Sequence, residues 1–486
     1  MQTKTPAIME AISFSPVKSD VHIFIENEQS MFDSTISEAF HDLKISQLLN
    51  SANIKKRCGI SPVKVIYDLF HIPFLILTTI CIFVRNQIDE AIGKDVYYRF
   101  LDNANYNWHL FILRLSKRIE KRITAQTSEK ERKLFVVDDT ITEVSGKMVE
   151  SASYVYDHTI GKSVLGFQKL VIGLFCADRF IPVSEKICMS SKRPSKKSKA
   201  VKYLKKPKIE KIKADSPGAI ERADLDKNKL EKTLSLLKEA KKNFRDVGIV
   251  LFDSWFAFNS FIIRLNSIGL DVICQLKNMP KTNKYQHRGI NYSLKALYCS
   301  HAKSKMRTVK KYGYKKAAIC VSIPNTDISL KIIFIHNDGE LNWHAFASTC
   351  VTFSSKEILE HYSKRWSIEV FFKNCKQYLN FGKEQMSNLD SIIASDALVF
   401  MRYLILTYLT SLANTAFFET LEKHRMNFKM LTYGTRLLNY FLNQLKFLID
   451  QICTLIENGG ATEAIVALKN VFNPCQVPQL EFVNLK

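Results

Sequence analysis

The segment LFVVDDT at residues 134–140 combines an apolar β-type run with two carboxylates. Its first four residues are apolar and include two β-branched ones, which is typical of a buried strand. Asp138 and Asp139 follow at once, so we predict a strand that ends in acidic side chains. GIVLFD at residues 248–253 repeats the pattern and places Asp253 at the end of another buried strand.

Carboxylates at the ends of neighbouring strands project into one crevice of a sheet, where ligands commonly bind. A third acidic residue, Glu369, lies on a helix that we predict from Ser354 to about Leu379. Three carboxylates without His or Cys partners suit a hard divalent cation, Mg²⁺ or Mn²⁺. Two such ions about 3.5–4 Å apart can activate a water or a 3′-hydroxyl against a phosphodiester. The sequence therefore predicts a two-ion site.

The charge of the chain favours a polyanionic partner. Among 486 residues, 70 are Lys or Arg and 47 are Asp or Glu, which gives a net charge of +23. An excess of this size indicates nucleic acid first and an anionic membrane surface second. With 46% hydrophobic and 24% charged residues, the composition excludes a disordered or fibrous chain.

Two segments concentrate the basic residues. Residues 191–215 contain eleven Lys or Arg against two acidic residues, which indicates an exposed loop or arm. We expect four of its lysines to contact DNA: Lys196, Lys197, Lys205 and Lys206. Residues 96–123 predict an amphipathic helix whose basic face either lies on a phosphate backbone or is merely solvated.

Several other classes of protein are disfavoured. The 11 Cys are scattered and form no C-x-x-C pair, so we expect reduced thiols and no zinc site. The polar N-terminus does not resemble a signal peptide. The apolar stretches at 73–84 and 397–418 are expected to be buried helices. We therefore expect a cytoplasmic, nucleoid-associated protein that does not bind a membrane.

The predicted helix around Glu369 carries a polar stripe. Its members are separated by 3, 4 and 7 positions: Tyr362, Arg365, Glu369 and Lys376. At 3.6 residues per turn all four lie on one face, where a guanidinium and an ammonium can hold phosphates beside a metal ligand. Three apolar residues fall away from the stripe and are expected to pack on the sheet: Trp366, Val370 and Phe371.

The spacing Tyr-x2-Arg-x3-Glu-x6-Lys resembles the signature of bacterial insertion-sequence transposases of the family numbered four. The Asp-Asp-Thr at 138–140 resembles their first acidic motif, and Asp-Ser-Trp-Phe at 253–256 resembles their second. The resemblance covers about residues 130–390.

This resemblance implies an RNase H-like core with a D-D-E triad of catalytic metal ligands. In the relatives the first ligand directly precedes Thr or a small residue, which favours Asp139 over Asp138; Asp253 and Glu369 complete the triad. It also implies that Tyr362, Arg365 and Lys376 contact the DNA end and its phosphates.

The implied reaction is cut-and-paste transposition. Water nicks the transposon end, the freed 3′-hydroxyl attacks the other strand to give a hairpin that is reopened, and the 3′ ends join target DNA. The implied partners are terminal inverted repeats, target DNA and a second copy of the chain in a synaptic homodimer. A catalytically inactive, domesticated DNA-binding protein and a metal-dependent nuclease are the alternatives.

The expected fold class is α/β: an RNase H-like catalytic core interrupted by a β-rich insertion, with helical N- and C-terminal domains. Five regions follow from this reading: a helical DNA-binding region at 1–130, the first part of the core at 131–276, the β-rich insertion at 277–353, the core helix with the catalytic Glu at 354–390, and a helical region at 391–486.

Replacing Lys196, Lys197, Lys205 and Lys206 by Gln is expected to weaken DNA binding and to flatten its salt dependence. Each lost phosphate contact removes about 0.9 from the slope of log affinity against log salt concentration, so four contacts would remove up to about 3.6. Fluorescence anisotropy with a labelled duplex at several salt concentrations measures this slope. An unchanged slope would mean that the arm does not touch DNA.

Overall fold

A mixed β-sheet of twelve strands runs through the part of the chain that the structure describes. This computed structural model describes residues 35–74, 79–85, 92–126, 132–146, 148–189, 212–309, 313–337, 342–383 and 385–413. Apart from residues 35, 36 and 74, these residues belong to one compact unit.

The strands follow the apolar runs of the sequence. Their bounds are β1 Leu134–Glu143, β2 Ser153–Asp157, β3 Lys162–Cys176, β4 Arg179–Cys188, β5 Ile249–Phe252, β6 Asp271–Leu276, β7 Tyr285–His287, β8 Ile290–Tyr292, β9 Arg307–Val309, β10 Tyr314–Ser322, β11 Ser329–Asn337 and β12 Trp343–Ser348. Their order is β2-β3-β1-β5-β6-β12-β11-β10-β7-β8, with β4 also beside β3 and β9 also beside β10.

The centre of the sheet is parallel. β1 pairs with β5, and β5 pairs with β6, both in parallel, while β3 and β12 flank this group in antiparallel pairing. All four residues of β5 are buried, as expected for a parallel strand covered on both faces. The mixed α/β architecture agrees with the expected fold class. The strands of region 277–353 join the same sheet through the pairing of β12 with β6.

The prediction that the first strand ends at its carboxylates is wrong. β1 continues to Glu143 because β3 pairs with it along its whole length, from Leu134 opposite Phe175 to Glu143 opposite Gly166. Asp138 and Asp139 therefore lie in the middle of a strand. The pairing with β3 fixes the backbone of both aspartates on one side of β1. This pairing could not be predicted from the apolar run.

Helices cover the sheet and fill the N-terminal part of the unit. Residues 35–42 lie in α1; the others are α2 Ile45–Ser51, α3 Pro62–His71, α4 Ile80–Arg85, α5 Lys94–Leu101, α6 Trp108–Gln126, α7 Pro217–Asp224, α8 Lys229–Asn243, α9 Asn259–Asn266, α10 Leu294–Leu297, α11 Ser355–Ser363, α12 Trp366–Tyr378 and α13 Leu389–Ala413.

The long helix predicted to carry Glu369 is in fact two helices. Ser354 caps α11 in a reciprocal capping box with Glu357, as the sequence indicates. Between Ser363 and Trp366 the backbone makes hydrogen bonds of the i to i−3 type, which interrupt the α-helical pattern. Tyr362 consequently lies on a different helix from Glu369, and the predicted four-residue stripe is broken.

The basic face of α6 has a structural use that the sequence did not indicate. Arg114 donates to the carbonyl of Ser51 at 2.7 Å, and Arg118 donates to the carbonyl of Leu43 at 2.7 Å. These carbonyls lie at the carboxyl ends of α2 and α1, where backbone acceptors lack partners within the helix. Guanidinium groups on α6 thus cap two N-terminal helices.

Helix α13 is long and apolar enough to cross a membrane by length and composition alone. However, 83% of its most apolar window is buried inside the protein, as in the core helix of a globular unit. The apolar stretch predicted as a buried helix at 397–418 is therefore confirmed as far as residue 413; the remainder lies outside the described residues.

A buried cluster of charges fixes α13 to the rest of the unit. Arg222 on α7 donates from Nε to Glu150 at 2.7 Å and from Nη1 to Asp390 at 2.9 Å. All three side chains are buried, and Glu150 also accepts the backbone N–H of Leu389 at 2.8 Å. Removing the guanidinium would leave two carboxylates without a counter-charge.

Arg222→Met is therefore expected to lower the free energy of unfolding by about 3–5 kcal/mol, because it strands buried carboxylates. Urea denaturation followed by circular dichroism measures the change. Arg264→Met is the matched control: Arg264 is 45% exposed and 3.9 Å from Glu231, so the control should change stability by no more than about 0.5 kcal/mol. Equal effects of the two variants would contradict a stabilising role for the cluster.

Candidate active site

The predicted carboxylates come from three elements that meet beside the parallel centre of the sheet. β1 and β5 are in register at Val136 opposite Leu251, and two residues further along each chain come Asp138 and Asp253. Glu369 lies in the first turn of α12, which packs against β1. Asp138 and Asp253 therefore follow the last paired residues of two adjacent strands by the same number of positions.

Asp138 faces the helix that carries Glu369. Arg365 donates from Nη1 to Asp138 at 3.0 Å and from Nη2 to Glu369 at 2.5 Å, so one guanidinium joins both carboxylates. Burial, followed by repulsion from Asp139 and Asp253, raises the pKa of Asp138 to about 7. The raised pKa thus has burial as its main cause, with the neighbouring carboxylates adding to it.

Asp139 is held through both of its oxygens. Gln168 on β3 donates to Oδ2 at 2.6 Å, and Lys229 at the start of α8 donates to Oδ1 at 2.5 Å. The Lys229 ammonium also lies 3.3 Å from the centre of the Trp255 ring. Asp139 thus takes its partners from β3 and α8, whereas Asp138 contacts Arg365 immediately before α12. The charge of Asp139 also acts on Asp253.

Asp253 lies in the turn that follows β5. Its Oδ1 accepts the backbone N–H of Trp255 at 2.9 Å, a local bond that orients the carboxylate. Burial raises the pKa of Asp253, and the charge of Asp139 raises it further. The two strands therefore bring their carboxylates close enough for mutual repulsion.

The donor set fits a hard divalent cation in its chemistry, because it consists of carboxylate oxygens that repel one another. In the described residues, however, no three His, Cys, Asp or Glu side chains are grouped closely enough to hold a metal ion. Two cationic side chains offset the negative charge in this conformation: Arg365 between Asp138 and Glu369, and Lys229 on Asp139.

The residues expected to contact DNA are engaged by the protein in this conformation. Lys376 donates to the carbonyl of Ile141 at 2.8 Å, and burial lowers the pKa of this lysine. The Tyr362 hydroxyl lies 3.4 Å from Oε1 of Gln275, and burial raises the pKa of Tyr362 to about 12. The four lysines predicted in the basic arm lie outside the described residues.

Two residues that contact the candidate site were not predicted from the sequence, namely Gln168 and Lys229. Both contact Asp139 from elements distant in the sequence, and neither belongs to a recognisable motif.

The prediction that Trp366 and Val370 pack on the sheet is wrong: they are 61% and 40% exposed, whereas Phe371 is buried as expected.

Asp138→Asn is expected to become more stable relative to the wild type as the pH rises. From about pH 4 to pH 7 the folded wild type retains a proton on Asp138 that the unfolded chain has released, so the wild type loses stability over this range. The asparagine does not titrate. At about 1.4 kcal/mol per pKa unit, the difference in free energy of unfolding should grow by up to about 4 kcal/mol.

Urea denaturation in EDTA at several pH values measures this difference. Ser329→Ala, at an exposed position, is the control: its side chain does not titrate over this range, so its difference from the wild type should not vary with pH. A pH-independent difference for Asp138→Asn as well would rule out the buried environment described for this carboxyl.

Two family models match the chain. The model described as DDE superfamily endonuclease matches residues 86–284, and the model described as Transposase DDE domain matches residues 220–405. The first range includes both candidate aspartates of β1, the second includes Glu369, and Asp253 lies in the overlap. No curated protein matches the chain. The two matches support a DDE transposase, an enzyme that cleaves nucleic acid.

Proposed function

We propose that the chain is a DNA transposase of the cut-and-paste type, with Asp139, Asp253 and Glu369 as its catalytic metal ligands. The observation that supports this proposal is geometric: one guanidinium, that of Arg365, contacts both Asp138 on β1 and Glu369 on α12, and Asp253 follows the strand paired with β1. Burial and neighbouring carboxylates also raise the pKa values of Asp138 and Asp253. Perturbed acidic groups gathered from distant parts of a chain are typical of functional sites.

The proposed cofactor is a pair of Mg²⁺ or Mn²⁺ ions held by these three carboxylates. When bound, two such ions activate a water or a 3′-hydroxyl and stabilise the leaving oxygen. The protein's own contribution is to fix the ligands: the β-ladder holds the backbone of Asp139, and the bond from the Trp255 N–H orients Asp253.

Arg365 is proposed to serve the substrate as well as the carboxylates. Its guanidinium is 15% exposed and contacts Asp138 and Glu369. Phosphate oxygens accept the same forked pair of hydrogen bonds as carboxylates, so a scissile phosphate close to Glu369 would find a matching donor. Tyr362, Lys376 and the four lysines of the basic arm are proposed to contact the DNA end.

The proposed substrates are terminal inverted repeats of an insertion sequence and a target DNA, bound by a homodimer. The resemblance of the Tyr-x2-Arg-x3-Glu-x6-Lys spacing to family-four transposases supports this assignment, and the net charge of +23 suits a DNA partner. The expected place of action is the nucleoid in the cytoplasm.

Two alternatives differ in what they do to DNA. A metal-dependent nuclease would cleave without joining, and an inactive relative would bind without cleaving. The purified full chain, incubated with Mg²⁺, a labelled transposon end and a target plasmid, distinguishes them. Cleavage followed by joining supports the transposase, cleavage alone supports the nuclease, and binding alone supports the inactive protein.

Glu369→Gln and Asp139→Asn are each expected to reduce cleavage by roughly a thousand-fold or more, because each removes a charged metal ligand worth several kcal/mol in the transition state. DNA binding, measured by a mobility shift, should persist. Asp138→Asn is the matched control on the adjacent position and should retain measurable cleavage.

The opposite pattern would change the assignment of the first ligand. If Asp138→Asn abolished cleavage while Asp139→Asn retained it, Asp138 would replace Asp139 in the triad. Cleavage at the wild-type rate by Glu369→Gln would remove Glu369 from the mechanism altogether.

A further inference from the structure

Lys229 is a nearly buried cation at the proposed site. It is the first residue of α8, and its side chain is 8% exposed. Its ammonium donates to Oδ1 of Asp139 at 2.5 Å. An ammonium withdrawn from water to this extent is costly unless it is paired, so this ion pair is a constraint on Asp139.

The position of Lys229 is itself fixed from two directions. Asn228 caps α8 by accepting the backbone N–H of Leu230 at 2.9 Å, which fixes the start of the helix. The Trp255 ring covers the ammonium, with its centre 3.3 Å from Nζ, and the Phe256 ring centre lies 5.1 Å away. Contact of an ammonium with an indole face is attractive in its own right.

These contacts connect the two strand carboxylates. Lys229 binds Asp139 and lies under Trp255, while the backbone N–H of Trp255 binds Asp253 at 2.9 Å. Lys229 thus links the side chain of Asp139 on β1 to the turn after β5 that orients Asp253. Gln168 fixes the remaining oxygen of Asp139 at 2.6 Å.

We propose that Lys229 is a positioning residue that aims Asp139 towards Asp253 for shared coordination of a divalent ion. This inference rests on the proposed function, since it takes Asp139 and Asp253 as metal ligands. Partners that orient a ligand from behind typically affect metal affinity by about 10- to 100-fold. A carboxylate oxygen that accepts one hydrogen bond still has a lone pair free for an ion.

Mn²⁺ binding to the DNA-free full chain tests the proposal without relying on activity. A Mn²⁺ titration followed by the electron paramagnetic resonance signal of the free ion gives the dissociation constant. Lys229→Met is expected to raise this constant about 10- to 100-fold, and Lys229→Arg to restore most of the affinity because it keeps a charged donor. Lys227→Met is the matched control, since Lys227 is 57% exposed and pairs with Asp224.

Asp253→Asn separates the failure of this inference from the failure of the proposed function. If Asp253→Asn weakens Mn²⁺ binding and Lys229→Met does not, the positioning role is wrong and the proposed metal site stands. Tighter binding by Lys229→Met would also overturn the inference, because it would show that the lysine competes with the ion. If the wild type does not bind Mn²⁺, or Asp253→Asn binds it unchanged, both proposals fail.

Trp255→Leu covers the case in which Lys229→Met does not fold, which circular dichroism would reveal. This variant keeps the lysine but removes the ring that holds its ammonium over Asp139. It is expected to weaken Mn²⁺ binding in the same direction as Lys229→Met, and an unchanged affinity in a folded Trp255→Leu protein would overturn the proposal.

Discussion

The burial of acidic side chains close to one another is the constraint around which the centre of this protein is organised. Asp138 and Asp139 lie on β1, and Asp253 follows the adjacent parallel strand β5. Burial raises the pKa values of Asp138 and Asp253, and the charge of Asp139 raises both further. Two cations from different parts of the chain offset this negative charge, Arg365 immediately before α12 and Lys229 at the start of α8. Residues far apart in the sequence are thereby drawn together. These two cations explain how neighbouring carboxylates are accommodated in the interior of the protein. They also leave positive charge at a site whose expected binding partner is an anion.

The strands of the core and the acidic residues could be predicted from the sequence because their signals are local. The apolar run before Asp253 predicted β5 to within one residue, and Ser354 was correctly predicted as the start of the helix that proves to be α11. The break before Trp366 could not be predicted from helical spacing, since residues 355–378 satisfy the periodicity of one continuous helix. The interruption consists of backbone hydrogen bonds, for which the side-chain pattern carries no signal.

Long-range partners were beyond the reach of sequence reasoning for a different reason. Lys229 is 90 residues from Asp139, and in the sequence it is one lysine among many on an amphipathic helix. Its role appears only when α8 is placed against the sheet. The basic helix α6 illustrates the same point, because its arginines find carbonyls at the ends of α1 and α2. Charge patterning predicts that a surface is polar, but it does not predict which acceptor lies opposite.

Helix α13 places an arginine, Arg402, in the interior of the unit. Its guanidinium donates to the carbonyls of Leu69 and Phe70 in the last turn of α3, and to the carbonyl of Leu379 at the end of α12. The Arg402 side chain therefore caps the carboxyl ends of both α3 and α12, the helix that bears Glu369. The position of the last turn of α3 is thus linked to that of the end of α12 by a single guanidinium. A shortened protein that lacks α13 would therefore lose the side-chain donor at the carboxyl ends of both α3 and α12.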